Sequence, residues 1–154
     1  MQPTVLFDSV QELLPHTAPM MLLTEVLAWG NDFVEVLVDH NEPSIFSDQS
    51  GDVPIWVGIE YMAQAMMVFA GIQAKLRSDT IKIGFLLGAH QYKAYAPEFK
   101  FGTRALIKAE LVFQEPDGVA LFRCKIFDGN TLLAESEVKG FLPDNPDQLL
   151  GALR

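Results

Sequence analysis

The sequence predicts an α+β fold in which an antiparallel sheet wraps around one long central helix. Three observations carry this. Ile55 to about Arg77 has no internal proline and is apolar around most of its circumference, so a helix there must be surrounded on nearly all sides. Strand-like runs both precede and follow it. The links "PDG" and "DGN" are turn signals suited to antiparallel hairpins. One buried helix with strands before and after it is a layered α+β arrangement, and the 154 residues are expected to form a single domain, 1–154.

Taken in order, "DSVQELLPH" predicts a short covering helix with Asp8 or Ser9 as its cap and Pro15 closing it. "MMLLTEVLAWG" and "DFVEVLVDHN" read as a hairpin around "GND". In the second run Phe33, Glu35, Leu37 and Asp39 alternate with Val34, Val36, Val38 and His40. The loop "NEPSIFSDQSGDVP" is rich in turn formers, and functional residues concentrate in such loops. Pro54 suits the approach to the helix. Four strands follow, in "IKIGFLLGAHQYKAYA", "TRALIKAELVFQ", "VALFRCKIFD" and "TLLAESEVKGFL". The tail "PDNPDQLLGALR" reads as a loop ending in one helical turn.

Composition narrows the function classes. With 49% hydrophobic and 20% charged residues, the chain buries enough apolar surface to fold rather than stay disordered. A net charge of -9 argues against nucleic-acid binding, which depends on neutralising phosphates. Between Lys82 and Lys108, however, Lys82, Lys93, Lys100, Arg104 and Lys108 face one acid, Glu98. Such a segment either attracts an acidic partner or is a solvated strand edge. The single cysteine, Cys124, forms no internal disulfide, and "MQPTVLFDSV" lacks a signal-peptide pattern, so a cytoplasmic location is expected. Ile55 to Ile72 approaches bilayer-spanning length, but Glu60 and Gln64 interrupt it and no membrane span is expected.

Those two residues hold the chemistry. In "VGIEYMAQAMMVFAG" they are the strongly polar side chains of an apolar run, although an unpaired buried carboxylate is costly. Four residues apart, they share one helix face. The helix dipole favours the Glu60 anion, whereas burial among Trp56, Ile59 and Met62 favours the neutral acid. Opposed influences of this kind suit a proton-transfer group; a glutamate held structurally by Gln64 is the alternative. Met62, Met66 and Phe69 recur at helical spacing, with Met20 and Met21 on the first strand, as a core or as the lining for a flexible apolar ligand. No metal cluster, phosphate loop or Cys/His ligand pair is found, so neither metal nor cofactor is expected.

"GIEYMAQ" (Gly58 to Gln64) resembles the E-A-M-A-Q central-helix signature of the β-hydroxyacyl-acyl carrier protein dehydratases. "LPHTAPMMLLTEV" is similar to their L-P-H opening and "NEP" to their N-E-P-x-F, in matching order from Leu14 to Leu142. The resemblance implies a hotdog fold whose subunits join sheets edge to edge. It also implies dehydration of 3-hydroxyacyl thioesters of acyl carrier protein by a helix acid and a loop histidine contributed across the interface. Glu60 matches the acid, Gly58 and Gln64 fall in the matched signature as substrate-binding positions, and Asp48 on the preceding loop is expected to be a third. The histidine does not carry over: its place falls at Asp48, far less basic, and the G-H-F-P-G element is missing. His40, at the end of the second strand, is the candidate replacement; His90 reads as a sheet residue or pocket wall and His16 as structural. These departures are similar to the aryl polyene pigment branch, whose members pair with another hotdog subunit. A homodimer or a heterodimer with a hotdog partner is therefore expected, with a silent scaffold or an acyl thioesterase as the alternatives.

Overall fold

A computed structural model of the chain describes residues 9–14, 20–79 and 84–142. Strands β1 (Glu25–Trp29), β2 (Phe33–Asp39) and the short β3 (Val53–Pro54) come first. A 3-10 turn, Ile55–Val57, leads into helix α1 (Gly58–Leu76). Then follow β4 (Phe85–Ala94), the short β5 (Glu98–Phe99), β6 (Arg104–Gln114), β7 (Val119–Asp128) and β8 (Thr131–Phe141). The six long strands form one sheet in the order β1-β2-β6-β7-β8-β4, antiparallel throughout, and β3 pairs with β5.

The predicted sheet around one helix is thus observed. Of the 19 residues of α1, 13 are buried. Met62, Met66 and Phe69 lie wholly in the core, with Phe69 edge-on to Phe122 of β7 at 5.3 Å. Val34, Val36 and Val38 turn inward from β2, as their alternation predicts, and Ala120, Phe122, Cys124 and Ile126 do so from β7. Burial pushes the Cys124 thiol up to about 12. The stretch Ile55–Leu76 is long and apolar enough to cross a bilayer, yet 72% of its apolar window is buried inside the domain. The sheet takes the place that lipid would occupy. The "PDG" and "DGN" links turn through Gly118 and Gly129 at φ 101° and 58°, a region that only glycine enters without strain.

Several local expectations change. The covering helix is one 3-10 turn, Val10–Leu13; Ser9 precedes it without a side-chain cap bond. Val10 and Leu13 are buried, so the turn belongs to the core. Asp8, Pro15, His16, Lys82 and the tail lie outside the described residues. Only Glu25–Trp29 of the first strand-like run joins the sheet, because Met20 and Leu22 give their backbone groups to the Gln64 side chain instead. The basic segment is paired with acids, most of them distant in sequence: Arg104 meets Glu25 at 3.3 Å, and Lys100 meets Asp52 at 3.7 Å as well as its neighbour Glu98. Lys93 stands opposite Glu135 and Lys108 opposite Glu35. This pattern fits the solvated-edge reading. At the end of the sheet, β4 leaves Phe85, Leu86 and Leu87 exposed along an edge with no strand beyond it among the described residues.

The seat of the 3-10 turn on α1 depends on Gly71. A methyl there would stand 2.7 Å from the Leu13 carbonyl oxygen and 3.2 Å from its Cβ. Alanine is favoured over glycine inside a helix by about 1 kcal/mol, but overpacking against backbone costs about 1–3 kcal/mol. Gly71→Ala is therefore expected to destabilise the fold, read as a lower urea midpoint. A raised midpoint would show that the turn yields without loss.

Candidate active site

The first turn of α1 emerges from the sheet at the covering β3–β5 ribbon, and burial becomes continuous only from Tyr61 onward. Glu60 is consequently half-buried at the rim, and Trp56, one turn earlier, is 60% exposed, its ring edge-on to Phe46 at 6.0 Å. The expected burial of Glu60 against Trp56 is thus not met; Val57 and Gly58 are buried, Gly58 close to Phe99 of β5, while Trp56 stays outside.

Gln64 is wholly buried and every one of its hydrogen bonds has a place. Its amide nitrogen donates to the Met20 carbonyl at 2.7 Å and to Glu60 Oε1 at 2.9 Å, and its oxygen accepts from the Leu22 N–H at 2.9 Å. The i,i+4 pair expected from the sequence is formed. It ties the carboxylate to the segment that crosses the helix, so Glu60 has a fixed orientation rather than a mobile side chain. A buried amide with all these partners is tolerated where an unpaired one would not be.

His40 is brought elsewhere. It is 4% exposed, its Nε2 shares a 3.0 Å hydrogen bond with the Tyr61 hydroxyl, and its ring stacks on Phe99 at 5.4 Å. Neither His40 nor His90 hydrogen-bonds to Glu60. Tyr61 follows Glu60 on the helix but faces about 100° away, which separates the His40 contact from the Glu60 face. Burial pushes the His40 imidazole below its ordinary value of 6.5, against smaller opposing effects of the Thr103 carbonyl, Asp39 and Asp128. Burial also raises Tyr61, so its hydroxyl stays protonated. The pair borders a cavity of about 500 Å³ lined by Met21, Leu22, Val38 and Pro43, with Asp39 and Glu42 beside them. Of the methionines considered as an acyl lining, Met21 reaches this cavity, whereas Met62 and Met66 are core.

Asp48 is exposed and turned onto its own loop: Oδ1 accepts from the N–H groups of Ser50 at 2.8 Å and Asp52 at 3.1 Å. Gly58 lies against Tyr92, whose hydroxyl donates to the Ile55 carbonyl at 2.5 Å. The Tyr92 contact escaped the sequence reading, since nothing local marks two residues 37 positions apart as neighbours. Asp48, Asp52 and Glu98 lie close together, but Lys100 pairs with two of the three.

The His40 environment sets a pH dependence. Because folding lowers its pKa, the unfolded chain takes up a proton below pH 6.5 that the folded chain resists. Its contribution to stability is thus present above 6.5 and declines as the pH falls toward the depressed folded value. Urea midpoints between pH 7.5 and 5 should fall more steeply for the native chain than for His40→Gln; parallel slopes would contradict this assignment.

A profile of the ApeP-like family, described as ApeP dehydratase, matches residues 8–151. The solved dehydratase heterocomplex ApeI:P from Xenorhabdus doucetiae contains a chain 29% identical to this one. It superposes with a TM-score of 0.87 over 96% of this chain and 99% of that one. The 3-hydroxyacyl-[acyl-carrier-protein] dehydratase FabZ of Chlamydia trachomatis serovar L2 is 31% identical over 144 residues, covering 89% of this chain and 92% of the relative. FabZ of Chlamydia muridarum is 30% identical over 145 residues, with the same coverage. With the antiparallel sheet, the buried helix and the Glu60–Gln64 pair all in place, the chain belongs to the ApeP-like dehydratase family, of the hotdog fold and the aryl polyene branch.

Proposed function

We propose that this chain is one subunit of a hetero-oligomeric dehydratase that acts on 3-hydroxyacyl thioesters of acyl carrier protein, and that it contributes Glu60 as an acid. The observation that carries the reading is the Gln64-held carboxylate at the rim of the first turn of α1, with His40 committed to Tyr61 instead. The heterocomplex ApeI:P supports a hotdog partner, and the FabZ relatives support the thioester class. In this reading a histidine of the second subunit removes the C2 proton. Glu60 in its protonated form gives a proton to the C3 hydroxyl, which leaves as water while the C2–C3 double bond forms. Gln64 orients the carboxyl, and Asp48 shapes the loop ahead of the helix. Gly58 is assigned to close packing rather than to substrate contact. The β4 edge, last in the strand order and carrying exposed Phe85, Leu86 and Leu87, is where a second sheet would join. A cytoplasmic site of action belongs to the same proposal.

Light scattering of the chain copurified with its hotdog partner should give the mass of an assembly rather than a monomer; a monomer at micromolar concentration would contradict the paired-subunit reading. In that assembly Glu60→Gln, which nearly preserves shape, should lower dehydration by roughly 10²-fold or more while leaving the complex assembled. An assembly equally active with Glu60→Gln would make the chain a scaffold. Release of the free acid in place of the enoyl thioester would mark the thioesterase alternative.

A further inference from the structure

Edge strand β4 is not regular. Its register with β8 slips between His90 and Lys93, so that Gln91 and Tyr92 together face Ser136. Gln91 stands at φ 49°, in the left-handed region that few non-glycine residues adopt. This is a β-bulge, and bulges re-aim side chains. The Ser136 hydroxyl donates to the His90 carbonyl at 3.0 Å, compensating part of the interrupted ladder. The consequence appears one residue later. Ala89 packs toward the core; regular alternation would next turn Gln91 inward, but the extra residue turns Tyr92 inward instead.

Tyr92 reaches the start of the catalytic helix. Its hydroxyl donates to the Ile55 carbonyl at 2.5 Å, the same oxygen that accepts the Gly58 N–H. The Ile55 N–H is itself held by the Pro97 carbonyl at 3.1 Å. Gly58 makes this approach possible: a Cβ there would stand 2.2 Å from the Tyr92 oxygen, 3.0 Å from Ile126 and 3.2 Å from Phe99. Glycine is a poor helix residue, yet here an alanine has no room. Burial raises the Tyr92 pKa, so the phenol stays protonated and able to donate near neutral pH. Glu60 lies two residues beyond Gly58, and its other anchor, Gln64, is fixed from the opposite direction by Met20 and Leu22. The turn that carries the carboxylate is therefore held at both of its ends.

We propose that Tyr92 is a positioning residue: its hydroxyl, admitted by Gly58, sets the first turn of α1 and thereby the pose of Glu60 toward the substrate. This rests on the reading of Glu60 as the acid. It also gives the bulge a purpose, since the strand that presents the open edge is the strand that steadies the helix start.

The test uses the complex copurified with its hotdog partner. Tyr92→Phe keeps the ring and removes the hydroxyl. It should lower kcat about tenfold with KM within about twofold of the native value, as expected when alignment rather than binding is lost. Gly58→Ala should lower kcat as well, and its effect should be smaller in the Tyr92→Phe background, because the nearest clashing atom is then gone; this coupling is read from the double-mutant cycle. A second readout does not depend on turnover: the ¹³C carboxyl resonance of Glu60 should move in Tyr92→Phe. A Tyr92→Phe complex that unfolds earlier but keeps the native kcat and Glu60 resonance would overturn the proposal, as would strictly additive effects in the cycle. Glu60→Gln separates this from the parent reading. If it leaves dehydration intact, the acid assignment fails, and the Glu60 resonance still decides whether Tyr92 sets its pose.

Discussion

The rest of the structure depends on one constraint: α1 is too apolar to face water on any broad side. With 13 of its 19 residues buried, the helix needs cover nearly all round, and a single curved antiparallel sheet provides it with few other elements. The 3-10 turn seals one flank and the β3–β5 ribbon the start. Close contacts against the helix then limit side-chain size. At Gly140 a methyl would meet the Met66 side chain at 2.3 Å, and at Gly71 and Gly58 other elements press in as tightly. Gln64 is kept inside this cover by a full set of hydrogen bonds, whereas buried His40 is partnered at Nε2 and leaves Nδ1 without a hydrogen-bond partner among the described residues. Glu60 is retained in the first turn, where cover thins. Its position joins two requirements: close enough to Gln64 to be oriented, and far enough out to meet a substrate or a second subunit.

Helix and sheet were legible because their signals are local. Alternation along β2, turn formers at Gly118 and Gly129, and the four-residue spacing of Glu60 and Gln64 can all be read within a few residues. Hydropathy alone did not distinguish a membrane span from a core helix, since both are long and apolar; the two polar residues and the surrounding strands decided it. The strand ends were less legible. Met20 to Leu23 carries a good strand pattern but crosses the helix, because the Gln64 amide, 44 residues from Met20, competes for its backbone groups.

The site was legible in part for the same reason. The carboxylate and its amide are neighbours on one helix face, whereas the His40–Tyr61–Phe99 cluster and the Tyr92 contact join distant segments. The alternation of β2 placed His40 correctly on the inward face with its valines, but gave no indication that Tyr61 would be its partner. For Gln91 the sequence offers no bulge signal at all, since glutamine is not a residue chosen for positive φ. Charge left two readings open for a related reason: Lys93, Lys100, Arg104 and Lys108 cluster in sequence, while most of the acids opposite them come from β1, β2, β8 and the loop before the helix.

Cys124 carries a consequence of a different kind. It is the chain's one thiol, it is wholly enclosed on the inner face of β7, and its pKa stands at about 12. A thiol so protonated and so inaccessible is neither a nucleophile nor an easy target of oxidants. Once folded, the chain presents this thiol to neither reducing nor oxidising surroundings, and a solitary cysteine says less about compartment than its count suggests. It also makes the chain a silent background for thiol-directed probes: a cysteine introduced on the surface would carry a fluorophore or spin label alone, without first removing the native one.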